Sequence, residues 1–373
     1  MFFHLILTDD CNLCCTYCRG RIFSCRSGEV GARVEIDEEL PPELSLDLRD
    51  LYSFLAKDPD ACLTFYGGEP LMRSDLILRI MQEAPGIRFM LQTNGLKLGE
   101  LPEWALQKFE TILVSLDGTP SQTDRHRGSG TYSRVMENVD KIMETGFSGE
   151  LIARMTICED TDIHDAVTYL SDNPDHGFSS IHWQLDADFS GDIEMRDLGC
   201  WLENRYNPGI LRLIRRWVEL IGEEGRVPRW YPFLDPMEDL LKGEKTLLRC
   251  GSGHSNYTIM TDGSIGPCPV MVGMKDYYSG HICTSDPLRL PRIAIQGECS
   301  SCDIYSFCGG RCLYSHIVRP WPEEWRRQIC NSVRNLHSGL SRALPEVKRL
   351  IREDRVRVSD FAHTKFNGCE IIP

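Results

Sequence analysis

The chain has 373 residues, room for two or three domains, and is 42% hydrophobic, 26% charged and 9% aromatic, the composition of a globular protein and not of a disordered or low-complexity one. Forty-one basic against fifty-five acidic residues leave a formal charge of −14, which argues against nucleic acid, because a basic surface is needed to displace its counterions. No apolar run approaches the roughly 18 residues of a spanning helix, and Phe2–Leu7 is too short for a signal-peptide core. A cytoplasmic protein is expected, in which the seventeen cysteines are thiols for metal or redox chemistry.

The first predicted strand is 2–8. Asp9-Asp10-Cys11-Asn12-Leu13-Cys14-Cys15-Thr16-Tyr17-Cys18 follows it. Cys11, Cys15 and Cys18 stand in the pattern C-x3-C-x2-C, with Cys14 as a bystander. Three soft thiolates in one loop can hold three irons of a cubane and leave the fourth iron open. A zinc site is the competing reading, although zinc usually takes four ligands.

With Tyr17 just before the third cysteine, this loop resembles that of the radical S-adenosylmethionine enzymes. The resemblance implies that S-adenosylmethionine chelates the open iron, and that one electron from the cluster cleaves it to a 5′-deoxyadenosyl radical. It also implies a protein that orients this chemistry and keeps water from it.

Further strands are predicted at 61–66, 87–93, 111–117, 151–157 and 180–186. Helices are predicted at 44–56, 74–84, 102–109, 131–145 and 163–171. Six βα units read as a parallel α/β fold, which right-handed crossovers curl into a partial (β/α)6 TIM-like barrel. Polar residues alternate along the strands: His4 and Thr8, Gln92 and Asn94, Ser115 and Asp117, Arg154 and Thr156, then His182, Gln184 and Asp186. Period 2 puts each set on one face, so an open, wet lumen is expected. The loop 19–37 is long for a βα connection and holds Arg19, Arg21, Arg26 and Arg33. It covers the lumen, grips an acidic substrate, or is simply solvated.

Motifs fall at the strand ends, where parallel α/β folds bind ligands. Tyr66-Gly67-Gly68-Glu69-Pro70 offers two glycines for close backbone approach and a carboxylate for an ammonium group. It resembles the family's GGEP motif, which implies contact of Gly67, Gly68 and Glu69 with the amino group of S-adenosylmethionine. Gln92-Thr93-Asn94-Gly95 ends the third strand. Ser115-Leu116-Asp117-Gly118 and Arg127 resemble a stretch of the peptide-modifying branch whose serine and arginine, twelve positions apart, contact S-adenosylmethionine. Thr123 stands where that branch usually has histidine. Tyr17, Asn94 and Arg154 complete the expected cofactor contacts, Arg154 because a guanidinium fork suits a carboxylate. For Arg154 a structural ion pair is the alternative.

From about 192 to 248 the pattern is helical, with Leu211, Ile214, Trp217, Leu220 and Ile221 as a buried stripe. Pro228, Pro232 and Pro236 are expected to break it. Asp262-Gly263 then signals a hairpin that would bring Cys250 and Cys268 together. The run Cys299-x2-Cys302-x5-Cys308-x3-Cys312 has a chance expectation of roughly 0.002 over the chain. A structural zinc ribbon is its plain competitor. With Cys330, the whole order resembles the SPASM domain, a C-terminal appendage of radical S-adenosylmethionine enzymes that mature peptides and proteins. That resemblance implies two auxiliary 4Fe–4S clusters: Cys250, Cys268 and Cys312 on the first, and Cys299, Cys302, Cys308 and Cys330 on the second. Residues 251–267 lack the extra cysteine of some members. Two closed clusters need one more ligand, for which Cys283, an open site and His254 are the alternatives. Pro269 replaces the aspartate of sulfatase-activating members, which points away from formylglycine-type oxidation.

The expected organisation is a barrel over 1–190, a helical bridge over 191–249, a SPASM domain over 250–335, and a helix and tail over 336–373. The expected activity is hydrogen abstraction from a peptide or protein residue, with three 4Fe–4S clusters, S-adenosylmethionine and an external donor such as flavodoxin or ferredoxin. Maturation of a small metabolite or redox cofactor is the first alternative, and a non-catalytic electron-transfer or scaffold protein the second. With the first strand at residue 2, no recognition segment is expected ahead of it. A leader peptide would rest on the enzyme's own surface or a partner. No catalytic side chain and no oligomeric state can be assigned from sequence.

Overall fold

The computed structural model describes residues 1–18, 34–84, 86–173, 177–186, 196–319 and 321–368. Cys25, Cys369 and the arginines of 19–33 lie outside them. Six strands run parallel in chain order: β1 (Phe2–Ile6), β2 (Cys62–Tyr66), β3 (Arg88–Thr93), β4 (Phe109–Ser115), β5 (Glu150–Ile157) and β6 (Ser180–Leu185). Between them lie α1 (Leu48–Leu55), α2 (Ser74–Glu83), α3 (Glu103–Leu106), α4 (Pro120–Arg127), α5 (Thr131–Glu144) and α6 (Ile163–Ser171). This is the partial, open α/β barrel expected. Strand residues Phe3, Leu5, Leu63, Phe65, Leu91, Ile112, Val114, Ala153, Met155 and Trp183 join the helices in one core.

The sheet does not stop at β1. The predicted hairpin forms β7 (Asn256–Ile259) and β8 (Ser264–Gly266), and β9 (Gly280–His281) follows. β7 pairs in parallel with the free edge of β1, with His4 beside Thr258, so nine strands form one sheet. Pairing covers an edge that would otherwise display unpaired backbone groups.

After β6 come α7 (Leu198–Trp201), a π turn at Leu202–Tyr206, α8 (Asn207–Glu224) and α9 (Tyr231–Lys242). Pro236 does not break α9, contrary to expectation. Only one first-turn carbonyl loses its donor there, and the helix is held by tertiary burial. Short helices α10 (Tyr305–Cys308) and α11 (Leu313–Val318) precede α12 (Glu323–Arg352), which carries Cys330. No helix among the described residues is long and apolar enough to cross a membrane.

The inner face of the barrel is layered. Its floor is apolar: Cys62, Met90, Leu113 and Ile152 pack with Tyr231 of α9. The polar lumen begins one step higher. There His4 lies between Thr64 and Thr258, and Arg154 lies between Ser115 and His182. The expectation of a polar face therefore holds for the middle of the strands and fails at their beginnings.

His4 Nδ1 is 2.9 Å from the side-chain oxygen of Asn256. Burial pulls its imidazole down to about 4; the Asn256 bond opposes this and Arg154 adds to it. The unfolded imidazole takes up its proton near pH 6.5. Stability conferred by His4 is thus complete above pH 6.5 and lost as pH falls from there toward 4, by about 3 kcal/mol in all. In urea melts of the wild type and His4→Gln, the variant should lose less stability across that window. Parallel pH profiles would show that His4 does not carry the effect.

Candidate functional site

The Cys11 loop leaves the top of β1 and is clamped by backbone. Gly68 N–H donates to the Thr8 carbonyl and Glu69 N–H to that of Asp10, both at 2.8 Å. The two glycines permit a close approach of the cysteine loop: a Cβ on Gly67 would lie 2.4 Å from Thr8 O, and one on Gly68 2.3 Å from Asp10 O.

Glu69 is fully buried. Its carboxylate accepts from Leu71 N–H at 3.0 Å, Thr93 O–H at 2.7 Å and Asn94 N–H at 2.7 Å. It ties the end of β2 to the end of β3. A carboxylate has about four acceptor sites; two of these bonds fall on one oxygen and one on the other, so about one site, on the oxygen that meets Asn94, stays open to an ammonium group. Burial pushes its pKa up, against these three bonds. The Asn94 amide donates to Asn12 at 2.7 Å and lies 3.9 Å from Cys11 Sγ.

A second anchor reaches the loop from β4 and α4. Asp117 is wholly buried and takes two bonds from Arg127, at 2.8 and 2.9 Å. It also accepts from Tyr17 O–H at 2.6 Å and Thr156 N–H at 3.0 Å. The Arg127 guanidinium lies 5.3 Å from the centre of the Tyr17 ring. The hydroxyl of Thr123, at the unusual position, accepts from Asp117 N–H. Arg127 and Tyr17 are therefore engaged with Asp117, and their expected contact with S-adenosylmethionine is not what fixes them. Beside them, His126 meets Thr16 Oγ1 at 2.6 Å and Asp160 at 3.1 Å.

The three thiols of the loop are exposed or half-buried. Burial pushes Cys15 up to about 11, and Arg127 pulls it back. Burial likewise raises Cys11, against the Leu13 N–H. Ser115 and Arg154 are register partners on β4 and β5. Arg154 donates to Gln184 at 3.0 Å, and its Nε is buried without a hydrogen-bond partner among the described residues. An orphaned guanidinium nitrogen facing the lumen fits a carboxylate ligand.

Seven of the other cysteines fall into two groups. Gly253 is where the first group's loops meet: its backbone N–H donates to Pro267 O, and a Cβ there would touch Pro267 and Leu313. Those are neighbours of Cys250, Cys268 and Cys312 in the chain, and all three cysteines pack on one small apolar cluster. In the second group, burial raises the pKa of Cys299, Cys308 and Cys330, and neighbouring cysteines add to it: Cys330 and Cys302 at Cys299, Cys330 and Cys299 at Cys308, and Cys302 at Cys330. Cys283 belongs to neither. It lies just past β9 at the tip of the hairpin, where Ile282 N–H bonds Gly263 O, and it faces Asp50 of α1 at 3.5 Å. Cys268 is at the hairpin's other end, about 16 Å of strand away. Cys283 is thus not a ligand partner of Cys250 and Cys268. The His254 ring, the other alternative, bonds Ser255 and the Leu248 carbonyl. No three His, Cys, Asp or Glu side chains among the described residues converge as a single metal ion requires.

Residues 5–169, which carry the loop, Glu69, Asp117 and Arg127, match the family model described as the radical SAM superfamily. These residues form a radical SAM domain. Such a domain implies a 4Fe–4S cluster and S-adenosylmethionine, and three clamped thiols with no disulfide among them fit the cluster. The radical SAM domain is followed by a C-terminal extension. The chain is similar to an uncharacterized protein of Archaeoglobus fulgidus, 25% identical over 332 residues, 82% of this chain and 72% of that one. It is also similar to mycofactocin maturase MftC of Mycobacterium ulcerans, 23% identical over 85% of this chain and 84% of that one. GTP 3′,8-cyclase of Vibrio cholerae matches at 27% over 151 residues, so the chain spans only 42% of that relative. Among solved structures, native anSMEcpe with bound AdoMet superposes with a TM-score of 0.67 at 18% identity, over 95% of this chain and 100% of that one. SuiB of Streptococcus suis bound to precursor peptide SuiA gives 0.52 at 16%, over 83% and 71%. At such identities the likeness is one of fold, and it extends past the radical SAM domain into the cysteine-bearing extension.

Proposed function

We propose that this radical SAM protein is an enzyme that modifies a peptide or protein residue, with two auxiliary 4Fe–4S clusters in a SPASM-type extension. One observation carries the reading: cysteine groups stand at both ends of a single polar lumen. Phe2 N–H bonds Ser255 O at the start of β1, which sets the Cys250 loop at the floor level, while Cys11 stands beyond the strand's top. The four steps of β1 separate the levels by roughly 13 Å, with Cys11 farther on, so these are distinct centres with the lumen between them. A carrier of electrons has no use for such a chamber. The fold neighbours bound to AdoMet and to a precursor peptide support a peptide substrate.

When bound at the mouth, the cluster and S-adenosylmethionine supply a 5′-deoxyadenosyl radical. The chain's own residues orient and enclose. Cys11, Cys15 and Cys18 hold the cluster, and Asn94 fixes the loop through Asn12. Arg154 offers its spare Nε to the methionyl carboxylate, with Ser115 beside it. Gly67, Gly68 and Glu69 shape the mouth. The apolar floor under Tyr231 excludes water. The extension's clusters, held by its cysteines, would accept the electron of the product radical or anchor the substrate, and an external donor such as flavodoxin or ferredoxin would supply the electron that the mouth cluster needs.

The test is mass spectrometry of a co-expressed precursor peptide. A changed residue that depends on Cys11 supports the reading. If 5′-deoxyadenosine forms under reducing conditions while no peptide is altered, the substrate class is wrong. Maturation of a redox cofactor then gains, which the likeness to mycofactocin maturase over 84% of its length already favours as second reading. Cys283→Ser should leave iron content and cluster spectra unchanged. A lost or altered cluster signal would return Cys283 to the ligand set.

A further inference from the structure

The second cysteine group is ringed by guanidinium groups. Arg326, Cys330 and Arg334 are spaced by four along α12, which puts them on one face. Arg334 Nη2 donates to Cys302 Sγ at 3.3 Å. The same guanidinium is held in place by both oxygens of Asp303, at 2.8 and 2.6 Å. From the other side comes Arg311, between Cys308 and Cys312. Its backbone is left-handed, with φ +57°. Its guanidinium lies 5.6 Å from the centre of the Trp321 ring, and its Nε is buried without a hydrogen-bond partner among the described residues. A cavity of about 690 Å³ between α12 and the Cys299 loop is lined by Cys299, Cys302, Cys330, Arg326 and Arg334.

The Cys11 loop differs in its donors. The contacts to Cys11 Sγ come from the neutral Leu13 N–H at 3.4 Å and the Asn94 amide at 3.9 Å, while Arg127 bonds Asp117. At the second group a charged guanidinium, that of Arg334, meets cysteine sulfur directly.

Hydrogen bonds to cluster sulfurs and nearby positive charge stabilise the reduced, more negative cluster and raise its potential. We propose that Arg311 and Arg334 set the cluster held by Cys299, Cys302, Cys308 and Cys330 at a higher reduction potential than the cluster at the barrel mouth. This rests on the reading of those four cysteines as a cluster site. The two arginines are positioning and tuning residues: they touch cysteine sulfur or the space beside it, and no substrate. Each couple takes up one electron, formally turning one ferric iron ferrous, and no ligand or proton leaves. The consequence is an order of filling in which the extension's second cluster accepts an electron before the mouth cluster does.

The experiment is an anaerobic dithionite titration of the reconstituted full-length protein, followed by electron paramagnetic resonance. The mouth couple is recognised by its response to S-adenosylmethionine. Arg334 is largely exposed, so Arg334→Gln should fold and keep its iron. One couple, not the mouth couple, should fall at least tenfold in its reduction equilibrium, about 59 mV for one electron. Arg311→Gln should move the same couple in the same direction, and Arg334→Lys should move it less than Arg334→Gln does. Unmoved midpoints in both glutamine variants, with iron intact, would overturn the proposal. Two further variants separate this from failure of the underlying reading. If Cys302→Ala and Cys330→Ala keep all iron and spectra of the wild type, no cluster sits there and both fall.

Discussion

The variant with Cys11, Cys15 and Cys18 all changed to Ala should keep its fold, lose about four of roughly twelve irons, and lose all cleavage of S-adenosylmethionine. Twelve is the count for three cubanes, and four is the share of the mouth. The fold should survive because backbone and Asp117, not the thiols, hold the loop. Thr16 N–H bonds His126 O, Glu69 N–H bonds Asp10 O, and Tyr17 bonds Asp117. The thiols themselves are exposed or half-buried and have little packing to lose. The measurements are iron analysis, absorption spectra and chromatography of 5′-deoxyadenosine after anaerobic reconstitution. Cleavage that survives the loss of four irons would move catalysis to another cysteine group. Loss of all twelve irons would mean that the groups assemble cooperatively, against their separation across the lumen.

What was legible in the sequence was whatever depends on local spacing. C-x3-C-x2-C after a strand, period-2 polar faces and Asp262-Gly263 each specify one neighbourhood of backbone, and each was found. The six parallel strands followed from their alternation with helical patterns. What was not legible is what depends on partners far apart in the chain. Glu69 reads as a strand-end carboxylate for an ammonium group, and the sequence carries no sign that Thr93 and Asn94, more than twenty residues on, also bond it. Gly67 and Gly68 read as a ligand cradle, with no sign that Thr8 and Asp10 also stand against them. Cys283 was assigned by counting ligands, and counting is blind to which end of a hairpin a residue occupies. The pairing of β7 with β1 spans some 250 residues, and four short residues carry no signal of which strand they will meet. Asp117 did have a signal, since it follows Ser115 on the same face. Its weight became visible only when Tyr17 and Arg127 converged on it.

Asp117→Ala should be the most destabilising single change at the site, costing about 3–5 kcal/mol, the usual consequence of stranding a buried charge. Asp117 is wholly buried and Arg127 nearly so, and the carboxylate neutralises the guanidinium through two parallel bonds. Its removal also leaves Tyr17 O–H and Thr156 N–H unpaired, each a further desolvation penalty. The check is urea denaturation of the apo chain under reducing conditions, where no cluster contributes. The double variant Asp117→Ala with Arg127→Met should recover part of the loss, because an apolar side chain then replaces the stranded charge. That recovery separates electrostatics from lost packing: if the double variant's total loss equals the sum of the two single losses, the pair is not coupled. The functional corollary follows from Tyr17. With its hydroxyl released, the third cysteine's neighbour is no longer tied to β4. Asp117→Ala should then bind iron at the mouth less tightly, even at temperatures where the chain is folded. Full retention of mouth iron in the folded variant would limit Asp117 to stability alone.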